Sequence, residues 1–178
     1  MKKRVLIINY CLSLGGGEKL VYELSKLCYQ QKIKLTVLIP NKLEKEYYDD
    51  KLKEMGIKVV RIHIGSIKEV VKSRHLESIY WYFILRFFLN LYFNTVHIFN
   101  LSIANIYLNK INHAKRFIWH ITNMIQYKNN KLPFNKNIFS NEKDTIVFIN
   151  KYQLNELESQ YGKIKTKIVN FKLFLLCD

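Results

Sequence analysis

Proline and glycine are scarce in this sequence, two and six among 178 residues. That excludes collagen-like, linker and low-complexity classes. Cysteine is nearly absent too. Cys11, Cys28 and Cys177 form an odd set with no CxxC or Cys/His metal spacing, which predicts no metal site and free thiols in a reducing cytoplasm. There is no long apolar segment behind Met1-Lys2-Lys3-Arg4, so no signal peptide is expected. Acidic residues are few: 14 Asp and Glu against 29 Lys and Arg, a formal net charge of +15. Such a balance attracts nucleic acid, anionic lipid or phosphorylated substrates. The lysines are scattered along the chain and accompany abundant Asn, Ile and Tyr, the bias of an AT-rich genome. This favours general attraction to a membrane or a phosphate over a dedicated nucleic-acid patch.

What is present is apolar matter in short, regular packets. Hydrophobic residues make up 49% of the chain, enough for one packed domain but in too short a chain for two full α/β domains. Val5-Leu6-Ile7-Ile8 is a continuous apolar run, as a buried parallel strand requires. After the turn Asn9 to Gly17, residues Leu20, Val21, Leu24, Leu27 and Cys28 mark one face of a helix over Glu18 to Gln31. Leu35 to Ile39 reads as a second strand, Glu44 to Met55 as a charged helix stopped by Gly56, and Ile57 to Ile64 as a third strand. Further strands are expected at Thr95–Phe99, Arg116–Ile121, Thr145–Ile149 and Lys167–Val169. Helices are expected at Ser102–Ile111 and Tyr152–Tyr161, and a long polar loop over Thr122 to Lys143. Strand alternating with helix predicts a Rossmann-like, doubly wound parallel sheet in three α/β/α layers.

Leu76 to Phe93 is apolar on most sides. It leaves three environments open: a core or interface helix, a membrane-surface helix, or a span. A full span needs about 20 apolar residues, and Glu77, Arg86 and Asn90 interrupt this stretch.

Gly15-Gly16-Gly17-Glu18 falls between the first strand and the first helix, where parallel sheets bind ligands. Glycine lets a backbone approach a ligand, and a helix start attracts phosphate. A tight turn with Glu18 complementing the helix dipole accounts for the same residues. The segment lacks GxxxxGK[ST]. It also lacks a dinucleotide fingerprint, because Leu20 takes the third glycine's place and Pro40-Asn41 replaces the acidic residue after the second strand.

NYCLSLGGGEKLVYELSKLCYQQKIKLTVL resembles the opening of retaining GT-B glycosyltransferases of family 4: a strand, a Gly-Gly-x-Glu loop, then a helix and a second strand. Gly16, Gly17 and Glu18 fit the motif, with Gly15 as an alternative register. Val96-His97-Ile98-Phe99-Asn100 is similar to a histidine-bearing strand of the family, with Phe99 or Asn100 where a second His is common. Phe117-Ile118-Trp119-His120 is similar to the strand that ends in an acceptor-side His. Asp144 to Asn150 is similar to a later strand, with Asn150 replacing the common Ser, and Ile168-Val169-Asn170-Phe171 to the segment leading into the second domain. The resemblance spans nearly the whole chain.

The resemblance implies that residues 1–170 form the amino-terminal, acceptor-binding GT-B half-domain and that 171–178 begin an interdomain linker or truncated tail. The donor domain, with its Arg/Lys pair and Glu-x7-Glu motif, would then be absent. Gly15, Gly16 and Gly17 would approach the donor diphosphate. His120 would be catalytic, with His97, Asn100, Asn123 and Asn150 at the acceptor. No cofactor is implied beyond the nucleotide-sugar substrate. The partners implied are a nucleotide-sugar, a hydroxyl acceptor that can be lipid-linked, and a donor domain or separate subunit. The location implied is the cytoplasm, with peripheral contact at an anionic inner membrane face and no nucleic acid. The chain alone would then be inactive. The competing reading is a non-catalytic binding or assembly subunit of a split glycosyltransferase. A response-regulator-like domain would need an acidic cluster at the first and third strand ends, which is not there. A nucleic-acid binder would need exposed aromatics, whereas most of these lie in apolar runs.

Overall fold

The computed structural model describes residues 3–40, 44–62, 92–99, 101, 104, 114–122, 129, 131–132, 139 and 144–172. In chain order the elements are β1 (Arg4–Ile8), α1 (Gly16–Gln30), β2 (Lys34–Pro40), α2 (Tyr47–Glu54), β3 (Lys58–Ile62), β4 (Thr95–Phe99), β5 (Lys115–His120), β6 (Asp144–Phe148), α3 (Lys151–Tyr161) and β7 (Lys167–Asn170). The strands form one seven-stranded sheet in the order β3-β2-β1-β4-β5-β6-β7, and every pairing is parallel. The expected Rossmann-like α/β architecture is therefore the observed one.

The strands are apolar on both sides because helices cover both faces of the sheet. Leu6, Ile8, Val96, Ile98, Ile118 and Phe148 point to one face and pack with Leu157 of α3. Val5, Ile7, Val37, Ile39, Phe99 and Trp119 point to the other, under Val21 and Cys28 of α1 and Tyr48 and Leu52 of α2. A period of two along each strand divides the residues between two cores, which makes the three layers.

Helix ends follow local chemistry. Helix α2 starts three residues later than its charge pattern suggests, because Glu46 caps it and Asp49 Oδ2 accepts the Glu46 N–H at 2.9 Å. It stops as expected at Gly56, whose φ of +69° is left-handed. The Gly56 and Ile57 amides turn back to Lys53 and Leu52 carbonyls at 2.8 and 3.0 Å. Helix α1 closes the same way, with Lys32 and Ile33 amides on Tyr29 and Cys28 carbonyls at 3.0 and 2.9 Å. There the left-handed position is a lysine, with φ +54°.

Most of the apolar stretch 76–93, the loop 122–143 and the helix 102–111 lie outside the described residues. Of the last, Ala104 is described, and it is helical and buried, as is the preceding Leu101. Among the described residues no helix is long and apolar enough to cross a membrane.

Candidate functional site at the carboxyl rim

The strand order reverses between β1 and β4. Connections leave those two strands toward opposite faces, which opens a crevice at their carboxyl ends. The loop from Asn9 to Gly15 stands there, held from several sides. Asn9 N–H donates to the Leu38 carbonyl at 3.2 Å, and Asn9 Nδ2 donates to the Cys11 carbonyl at 2.8 Å. Leu12 is fully buried. Its N–H donates to Glu46 Oε2 at 2.6 Å, and its carbonyl accepts from Tyr48 N–H at 3.0 Å. Arg61 at the end of β3 donates to the same Glu46 oxygen at 3.0 Å and grips Asp49 through Nε at 3.0 Å. Glu46 thus ties the β1–α1 loop, the start of α2 and the end of β3 together.

Helix α1 opens on Gly15, an extended residue with no side-chain cap. The first amides of the helix, those of Gly16 and Gly17 among them, have no partner inside the helix. Glu18, in the first turn, folds back toward Gly15 and accepts from Cys11 Sγ at 3.1 Å. Burial above all, and Glu18 beside it, push the Cys11 thiol above its ordinary value, so it stays protonated and donates. The three glycines differ in what they leave room for. A side chain at Gly15 would collide with the Glu18 carboxylate, one at Gly16 would meet nothing, and one at Gly17 would stand 2.6 Å from Ile121 Cδ1. Gly17 is therefore a packing glycine, and Gly16 leaves the helix start open.

Ile121 directly follows His120, the last residue of β5. The glycine turn and His120 thus share the carboxyl rim and are joined through Ile121. They do not share a face. His120 has the parity of Ile118 and points to the α3 side, with Phe148 edge-on at 5.8 Å, whereas α1 packs on the other side. His120 is 0% exposed, and neither ring nitrogen has a hydrogen-bond partner among the described residues. Burial lowers its pKa to about 4, so at neutral pH the ring offers one donor and one acceptor.

The remaining candidates are placed differently. His97 sits two residues short of the end of β4. Its Nδ1 accepts from Trp119 Nε1 at 3.1 Å, and its ring stacks on Phe117 at 4.8 Å. Burial lowers its pKa to about 4 as well. His97 belongs to an aromatic stack, not to the rim. Asn150 is on the rim after β6, but its Oδ1 caps α3 by accepting from Tyr152 N–H at 3.0 Å. Asn100 and Asn123 lie outside the described residues. The Glu46–Arg61–Asp49 tie was invisible in the sequence, where these residues read as ordinary surface charge. Among the described residues no group of three or more His, Cys, Asp or Glu is placed to hold a metal.

Fold and rim together define a doubly wound parallel α/β protein with an open helix start at its switch point. No protein-family model and no curated protein matches the chain.

Proposed function

We propose that this chain is the amino-terminal, acceptor-binding half of a retaining GT-B-type glycosyltransferase. The complete enzyme moves a sugar from a nucleotide-sugar to a hydroxyl acceptor in cell-surface polysaccharide or glycolipid synthesis, on the cytoplasmic side of the membrane. One observation carries the reading: Gly17 packs on Ile121, so the uncapped start of α1 meets the end of β5, where a buried His120 has two unsatisfied nitrogens. Unpaired polar atoms in a core cost stability and call for a reason. A hydroxyl acceptor supplies one, because a neutral imidazole can both accept from it and donate to it. The Gly16 and Gly17 amides would stabilise charge on a departing diphosphate, and catalysis would rest on positioning and on that electrostatic contact.

A second reading, an assembly subunit of a split enzyme, is favoured by strand β7. Ile168, Val169 and the following Phe171 are 36%, 36% and 41% exposed, an apolar edge that another subunit would cover. On either reading the donor-binding residues come from other sequence.

The test is transfer of labelled sugar from nucleotide-sugars to envelope acceptors. The 178-residue chain alone should give no turnover, and addition of its donor domain or subunit should restore it. His120→Ala should lower the restored rate about a hundredfold. Turnover by the chain alone at ordinary enzyme rates, or full activity with His120→Ala, would remove the proposal.

A further inference from the structure

Charge at the ends of the described strands is polarised. Five of the seven strands open on a cation: Arg4, Lys34, Lys58, Lys115 and Lys167 start β1, β2, β3, β5 and β7. No strand ends on Lys, Arg, Asp or Glu. Because every pairing is parallel, all the starts fall on one rim, opposite the glycine turn and His120. The carboxylate that opens β6, Asp144, is buried and closed on Arg116 at 2.6 Å. The rim is therefore a row of cations, and except for half-buried Arg4 the strand-opening ones are exposed. At about 4.8 Å per strand it runs for about 29 Å.

Complementing helix ends does not account for this row. Among the described residues α1, α2 and α3 and the helical Tyr92 before β4 bring carboxyl ends to this rim, each with about half a negative charge, and together they fall short of the five cations. A uniform surplus of lysine would fall on strand ends as readily as on strand starts, yet no described strand ends on one, although Lys19, Lys151 and Lys172 stand near the other rim.

We infer that the amino rim of the sheet is a docking surface for an anionic membrane. Exposed apolar side chains accompany the cations. Leu27 and Tyr29, in the last turn of α1 just before Lys34, are 52% and 56% exposed. A row of cations around an apolar side chain suits the lipid headgroup boundary. An aliphatic side chain such as Leu27 has no such use against single-stranded nucleic acid, which is held by stacking on aromatic faces. The Arg4 guanidinium lies 4.3 Å over the ring of Tyr92 at this rim, and Tyr29 is an exposed aromatic in the same helix turn as Leu27. Docked this way, strands of about 17 Å hold the glycine turn and the end of β5 clear of the lipid surface. The inference stands on the rim's chemistry and does not depend on glycosyl transfer.

The experiment is vesicle co-sedimentation of the full chain with phosphatidylglycerol–phosphatidylcholine and with pure phosphatidylcholine vesicles. The triple variant Lys34→Gln/Lys115→Gln/Lys167→Gln is compared with a carboxyl-rim triple of equal charge, Lys19→Gln/Lys151→Gln/Lys172→Gln. Circular dichroism checks that both fold. Each cation lost from the docking face should weaken binding about fivefold, so the amino-rim triple should bind anionic vesicles about a hundredfold more weakly. The control triple should lose less than about fivefold. Leu27→Gln should weaken vesicle binding and leave binding to a single-stranded oligonucleotide unchanged. Equal losses in the two triples, or no preference for anionic vesicles, would overturn the inference. Tighter binding of the oligonucleotide than of vesicles through the same lysines would reassign the rim to nucleic acid.

Discussion

Gly17 lies against Ile121, so close that a Cβ on the glycine would stand 2.6 Å from the Ile121 Cδ1. This contact joins the start of α1 to the end of β5 across the switch point, and it separates the roles of two neighbouring glycines. Gly17→Ala should force Ile121 aside and cost about 1–2 kcal/mol of stability. Gly16→Ala meets open space at the first turn of a helix. It should be neutral or stabilising by up to about 1 kcal/mol, while crowding any anion at the helix start. Urea unfolding of the two variants measures the difference.

The two strand histidines should make the protein acid-sensitive, with a definite sign. Both have pKa values lowered by burial to about 4 in the folded state, against about 6.5 when unfolded. Between these values the unfolded chain binds more protons. Stability is therefore complete above about pH 6.5 and falls as the pH drops toward 4, by about 3 kcal/mol for each histidine. His120→Leu should remove about half of this loss. It should also stabilise the protein at pH 7 by about 1–2 kcal/mol, because it removes two unpaired buried atoms. His97→Leu should instead destabilise, since it strips Trp119 of its acceptor. Denaturant titrations from pH 4 to 8 distinguish them.

Arg116 and Asp144 form a two-point ion pair between β5 and β6, at 2.6 and 3.0 Å, buried in the sheet. Arg116→Met alone leaves a buried carboxylate and should cost about 3–5 kcal/mol, whereas the double change Arg116→Met/Asp144→Leu should lie near neutral. Thermal unfolding of the single and double variants measures the pair.

Lys32 holds a left-handed backbone at φ +54° to close α1. Lys32→Gly relieves that conformation and should stabilise by about 0.5–1 kcal/mol. A loss of stability on this substitution would mean that the lysine side chain does more than occupy the turn.

The layer order was legible in the sequence because fully buried strands read as unbroken apolar runs, as in Val5 to Ile8 and Leu35 to Ile39. Gly56 announced its turn, whereas Lys32 occupies the equivalent turn with nothing in its side chain to announce it. The late start of α2 was hidden because Glu46 is a cap and an anchor only once Arg61 and Leu12 arrive from other strands. His97 and His120 sit in similar apolar contexts. What separates them is position along the strand and Trp119 beside one of them, which depend on the register between β4 and β5. The functional difference between Gly16 and Gly17 likewise rests on Ile121, more than a hundred residues away. The lysines at the strand starts were visible singly, but their alignment appears only when all seven strands run the same way.

Amide and imidazole NMR of the full chain during titration with UDP- and GDP-sugars at millimolar concentration addresses the carboxyl-rim site. If the helix start receives the diphosphate, the Gly16 and Gly17 amides and the His120 ring should shift together and saturate, and Lys34 and Lys115 should stay still. Shifts confined to the amino-rim lysines, or none at the glycines, would contradict it.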